Sequence, residues 1–195
     1  MSKEIVFDIE TQNTFADVNN DFTKLRVSVI SLYRYETDAY ESYTEDELGK
    51  VWPLFERADR LIGFNSEHFD LPILNNYYPG DLLKLPSLDI MKEVKANVGI
   101  RLKLDSIAEA TLDNIKKSAD GLTALRWWKE GRVDDVKKYC EQDVRVTKEI
   151  YEFGKTNSQL FYKNLVGEVL PFRVNFTMPK VGLGGSQKIN LTLPF

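Results

Sequence analysis

Ile5-Val6-Phe7-Asp8-Ile9-Glu10-Thr11 joins a short apolar run to two carboxylates placed two positions apart. Successive side chains of a strand alternate between its faces, so residues i and i+2 share one. Asp8 and Glu10 therefore stand side by side where the apolar run ends, and two bare carboxylates that close repel each other. Two readings are open at this point. One is a surface strand end carrying unrelated acids, and the other is half of a site for a cation. The second requires further acids brought to the same place.

The bulk composition sets the frame. A chain of 195 residues, 43% hydrophobic and 12% aromatic, can bury a core without covalent staples, most naturally as one domain with appendages. Cys140 is the single cysteine, which excludes an internal disulfide framework. No stretch has the length or purity of a membrane span or a signal peptide, so the expectation is a soluble cytoplasmic protein without a membrane partner. The net charge of −4 argues only superficially against a nucleic-acid partner. If four acids hold two divalent cations, the cations offset as much charge as the whole chain carries in excess.

Along the chain, residues 3 to 8 read as a buried strand and residues 12 to 24 as a polar loop. Asp17-x-Asn19-x-Asp21 imitates the opening of a calcium loop, but Phe22 stands where glycine is needed and Ser28 where the closing glutamate belongs, so it is rejected. Val27 to Tyr35 and Ala39 to Tyr43, separated by Glu36-Thr37-Asp38, predict a hairpin. Thr44-x-x-Glu47 is a capping box that predicts a helix to about Ala58. Leu61 to Phe64 predicts a buried strand leading into a helix from about His68 to Tyr78, a βαβ-like unit that adds a parallel strand. Pro86 to Leu88 predicts one more strand, with Asp89 placed to cap the next helix.

The sequence then turns helical, over Ile90 to about Asn97, Leu104 to Leu112, Leu122 to Glu130 and Val133 to about Phe153. Beyond Gly154, prolines and glycines punctuate short alternating runs and predict a β-rich appendage over residues 155–195. That appendage packs on the body of residues 1–154, on a second copy, or on a protein partner. Gly182-Leu183-Gly184-Gly185 lacks the lysine and hydroxyl residue of a phosphate loop.

Two later segments supply further acids. Asn65-Ser66-Glu67-His68-Phe69-Asp70 follows a buried strand and puts Asp70 early in a helix, either as an ordinary first-turn aspartate helped by the helix dipole or as a ligand. In Tyr139-Cys140-Glu141-Gln142-Asp143, i to i+4 spacing puts Tyr139 and Asp143 on one helical face, as a structural hydrogen bond or as part of a site. Cys140 falls off that face and reads as a buried filler. His68 reads as a surface residue at the helix start.

These segments, in this order, resemble the signatures of the DEDD (DnaQ-like) 3′-to-5′ exonucleases. They are Asp-x-Glu on the first strand, an asparagine with a downstream Phe-Asp, and Tyr-x-x-x-Asp on a late helix. The tyrosine matches the DEDDy subclass. Leu102-Lys103-Leu104-Asp105-Ser106-Ile107-Ala108 and the text around Tyr139 resemble proofreading domains of family B DNA polymerases and stand-alone predicted exonucleases of the YprB type. The resemblance covers roughly residues 3 to 154.

It implies a ribonuclease H-like α/β fold, with a mixed central sheet of three antiparallel strands followed by parallel ones, flanked by helices. It also implies that Asp8, Glu10, Asp70 and Asp143 bind two divalent cations, Mg²⁺ or Mn²⁺, about 3.5–4 Å apart, and that Tyr139 orients or deprotonates a water. Thr11, Asn65, Phe69 and Lys103 would then meet a single-stranded substrate, DNA in preference to RNA, releasing nucleoside 5′-monophosphates. Lys92, Lys95, Arg101 and Lys103 form the most concentrated basic run, either a solvated edge or a contact for upstream phosphates. Trp127-Trp128 reads as core plus one exposed ring. The competing reading is a catalytically silent nucleic-acid-binding or scaffold module of the same fold.

Overall fold

A computed structural model describes residues 2–112 and 121–178. Its main sheet has five strands: β1 (Glu4–Thr11), β2 (Val27–Arg34), β3 (Ala39–Thr44), β4 (Arg60–Gly63) and β5 (Ser87–Asp89). They lie in the order β3-β2-β1-β4-β5. β2 runs antiparallel to both β1 and β3, β4 runs parallel to β1, and β5 parallel to β4. This is the mixed sheet that the apolar runs predict, with β1 at its centre.

Helices cover both faces: α1 (Trp52–Arg57), α2 (Asp70–Leu74), α3 (Ile90–Val98), α4 (Leu104–Thr111), α5 (Gly121–Lys129) and α6 (Val133–Asn157). The alternation of β1 sorts its side chains between them. Ile5, Phe7 and Ile9 enter the core cluster that contains Phe55 and the α2 residues Leu71, Ile73 and Leu74. Val6 enters the opposite cluster with Ile90, Val144 and Ile150. Glu4, Asp8 and Glu10 share the parity of Val6 and so belong to the face that α6 covers.

Three predicted helices differ from the observed ones, each for a local reason. The capping box at Thr44 forms, with its backbone N–H donating to Glu47 at 3.3 Å, but residues 45–50 make a 3₁₀ segment and the α-helix begins only at Trp52. Pro53 has no N–H to give and its ring would clash with the carbonyl four residues back, so one continuous helix cannot pass. α2 spans only Asp70 to Leu74, because Phe69 is non-helical and the side chain of Asn75 turns away to accept the Leu82 N–H at 2.8 Å. α6, in contrast, runs straight through Gly154 to Asn157.

Gly154 is a place of close approach. A Cβ there would lie 2.3 Å from the Phe176 ring and 3.2 Å from Val174. Past α6, β6 (Gln159–Lys163) and β7 (Val169–Arg173) form a separate antiparallel pair. Leu160, Phe172, Val174 and Phe176 are buried in the same cluster as Val6, Ile62 and Ile150. The described part of the appendage therefore packs on the body. The Gly182–Gly185 run lies outside the described residues.

An ionic knot fastens this end. Arg60, 3% exposed, donates to Glu4 at 2.7 and 3.1 Å, to the Tyr151 hydroxyl at 2.7 Å and to the Phe176 carbonyl at 2.9 Å. Tyr151 and Lys155 also donate to Glu4, at 2.7 and 3.1 Å. Burial alone would raise the Glu4 carboxyl, yet these hydrogen bonds and the Arg60 charge hold it below its ordinary value. Among the described residues, no helix is long and apolar enough to cross a membrane.

Candidate metal and nucleic-acid site

The site forms where the far end of β1 passes under α6. Period-2 alternation presents Asp8 and Glu10 together, and α6 brings Asp143 across them. One carboxylate oxygen from each of the three lies within 4.8 Å of the others. Asp70 arrives from the opposite side of the sheet, round the end of β1. It is 2% exposed, and its Oδ1 accepts the Ile9 N–H at 3.2 Å, the backbone group that separates Asp8 from Glu10.

Electrostatics here is the reverse of the Glu4 knot. Burial pushes Asp8 well above the ordinary carboxylate range, and the charges of Asp70, Asp143 and Glu10 push it further. Glu10 is raised by burial and then by Asp143 and Asp70. Burial carries Asp70 up to about 7, against the pull of its own N–H and that of Ile9. Among the described residues, no lysine or arginine forms an ion pair with Asp8, Glu10 or Asp70. Converging hard oxygen donors with unmet negative charge suit Mg²⁺ or Mn²⁺, so the residues present fit the expected metal.

Around the acids is a cleft of about 560 Å³ whose walls include Asp8, Glu10, Thr11, Asn65, Phe69, Asp70, Lys103 and Asp143. Thr11 turns its hydroxyl to the Asn13 carbonyl at 2.9 Å. Asn65 adopts the left-handed conformation at φ 67°. Its N–H is held by Asp89 at 2.7 Å, and its side-chain oxygen accepts from Arg101. Asp89 also takes the N–H groups of Glu67 and Met91, so the residue expected only as a helix cap fixes the whole turn before α2.

Tyr139 lies beside Asp143, itself on the cleft wall. It sits one turn back on α6, with its ring edge-on to Trp127 at 6.4 Å. Burial raises its hydroxyl, and the Asp143, Glu10 and Asp8 charges and a hydrogen bond with Asp143 raise it further. Such a phenol keeps its proton at neutral pH.

Some site features escape the sequence. Cys140 is buried as expected, but its thiol donates to the Asp8 carbonyl at 3.3 Å and lies 3.7 Å from the Asp8 carboxylate. Phe15, in the loop read as merely polar, stands in the cleft wall and meets Phe69 at 5.7 Å and Phe22 at 4.8 Å. Two aromatics seven residues apart in a polar loop were the available signal. Lys92 is tied to Glu67 at 2.8 Å. Both Trp127 and Trp128 are half-buried, packed by Val29, Val136 and Cys140, so neither is the exposed ring expected of the pair.

A family model described as RNase_H_2, of the RNase_H superfamily, matches residues 5–153. No curated protein sequence matches the chain. Among solved structures, the chain is similar to the family B DNA polymerase from the hyperthermophilic archaeon Pyrobaculum calidifontis. The TM-score is 0.59 at 16% identity, and the match covers 77% of this chain and 24% of the polymerase chain.

Proposed function

Since the chain belongs to the RNase_H superfamily, we propose that it is a metal-dependent 3′-to-5′ exonuclease of the DEDDy kind, acting on single-stranded ends. The observation that carries this reading is the convergence of Asp8, Glu10 and Asp143 within 4.8 Å, with Asp70 fastened to the backbone between the first two. The four acids would hold two cations, Mg²⁺ or Mn²⁺. Bound there, the cations would activate the attacking water and offset the charge that builds on the phosphate and the leaving 3′ oxygen.

The chain's own residues set the geometry. The Ile9 N–H fixes Asp70, so the carboxylate from α2 is presented at a defined angle to the pair on β1. Tyr139 orients the water and does not take its proton, because its neighbours push its hydroxyl away from deprotonation. Phe69 and Phe15 give the terminal sugar or base an apolar wall. Lys103, exposed on the cleft, meets phosphate. The likeness to a DNA polymerase favours DNA over RNA as substrate. Residues 1–154 form the exonuclease body and residues 155–195 its appendage, a surface for a second copy or a partner, in a cytoplasmic protein.

The test is a 5′-labelled oligonucleotide in Mg²⁺ or Mn²⁺. The expected result is a ladder that shortens from the 3′ end. No ladder on DNA or RNA with either metal refutes the reading, and calorimetric Mn²⁺ binding without hydrolysis would assign the chain to the silent module instead.

A further inference from the structure

Next to the acidic cleft lies a second groove, of about 230 Å³, that shares Asn65 with it as a common wall. His68, Lys92, Lys95 and Arg101 line the second groove. Two acids also face it, Glu67 and Asp89, and both are already engaged. Glu67 accepts from Lys92 at 2.8 Å and from Ser87 at 3.1 Å. Asp89 is 5% exposed and its oxygens take three backbone N–H groups, at 2.7, 2.9 and 3.2 Å. Lys95 and Arg101, both exposed, pair with no acid among the described residues. The groove is therefore net positive beside a cleft that is net negative.

Arg101 is also held in place. Gly99 closes α3 in the left-handed conformation at φ 85°, and two residues later the Arg101 guanidinium donates to the Asn65 side chain. A guanidinium carries five N–H donors, so this bond leaves the fork able to take a phosphate as well. From Phe69 in the cleft, ring contacts run through Phe15 and Phe22 to His68 at 5.7, 4.8 and 5.9 Å. Apolar ring surface thus continues from the wall of one cavity to the wall of the other.

We propose that the strand lying 5′ to the scissile phosphate leaves the cleft over Asn65 and is held through its phosphates in this groove by Lys95 and Arg101. The proposal rests on the reading of the cleft as the seat of a 3′ end, and it adds where the rest of the strand goes. The held length favours oligonucleotides over dinucleotides. Contacts to phosphate also make affinity fall with salt, by about 0.7 in log–log slope per phosphate neutralised on a single strand.

The test uses Lys95→Glu, Arg101→Glu and the double variant, with Lys84→Glu, an exposed charge elsewhere, as control. In Mg²⁺, the ratio of kcat/KM for a dT 12-mer to that for a dT dinucleotide should fall about tenfold in the double variant and hold in the control. On an Asp143→Asn background, the anisotropy of 5′-fluorescein dT 12-mer should show weaker binding and a salt slope lower by about 1.4. An unchanged slope, or a loss equal for both substrates, overturns the proposal. If the unaltered protein cleaves neither substrate, the exonuclease reading fails, while the affinity and slope still decide the groove.

Discussion

Glu4 and Asp8 lie on one face of β1, and α6 covers both, yet the helix answers them differently. To Glu4 it presents Tyr151 and Lys155, and with Arg60 these take both carboxylate oxygens. To Asp8 it presents Asp143 and the Cys140 thiol. One carboxyl is held below its ordinary value and the other pushed well above it. A buried acid whose partners come from the chain is part of the framework. Clustered acids whose neighbours are acids are relieved either by taking up protons or by charge arriving from outside, which is the arrangement a cation site needs.

The widest separation between the two ends should come from Asp143→Asn. Hydrolysis should fall about a thousandfold or more, while the metal-free melting temperature rises because one of the mutually repelling charges is gone. A fall in both would mean that Asp143 is framework like Glu4. Arg60→Ala should cost about 3–5 kcal/mol in urea unfolding, as expected when a buried acid loses its partner. A change below 1 kcal/mol would erase the distinction from the other side.

Mn²⁺ at a hundred times its Kd should add about 2.7 kcal/mol of stability, an increment that EDTA abolishes and Asp143→Asn reduces. Without metal, the two ends should have opposite pH responses. Asp70 binds its proton up to about 7 in the folded state against an ordinary value of 3.8. The folded form therefore holds more protons between those values, and stability at this end falls as pH rises through them. Glu4, with its value lowered, contributes stability above the ordinary carboxylate range that is lost as pH falls through its folded value. Unfolding followed from pH 3 to 8, with and without saturating Mn²⁺, should show the neutral-side slope flatten and the acid-side slope persist. The smallest effect should be Tyr139→Phe, about tenfold in kcat. A loss as deep as that of Asp143→Asn would make the tyrosine part of the acid cluster's work.

Much of this contrast was legible in the sequence because it depends on local periods. Alternation of two put Asp8 beside Glu10, spacing of four put Tyr139 over Asp143, and apolar runs marked the strands. What the sequence concealed depends on how elements cross. Cys140 touches Asp8 because of where α6 lies along β1, and no periodicity of either element encodes that. Arg60 meets Glu4, Tyr151 and the Phe176 carbonyl, partners 56, 91 and 116 residues away that no local pattern marks. Other differences have a local chemical cause. Pro53 forbids the single helix expected after Thr44, and the last helix passes Gly154 to Asn157, the glycine marking a close approach of Phe176.

That glycine bears on how the chain can be divided. Phe176 fills the space where a Cβ at 154 would stand, and its carbonyl is one of the acceptors of Arg60. An excision just after α6 would strip four apolar side chains from the core that contains Val6 and Ile150, and would withdraw an acceptor from a buried guanidinium. The body and the hairpin therefore share one core, and a graft or fusion that keeps the body sound should carry the chain through Thr177.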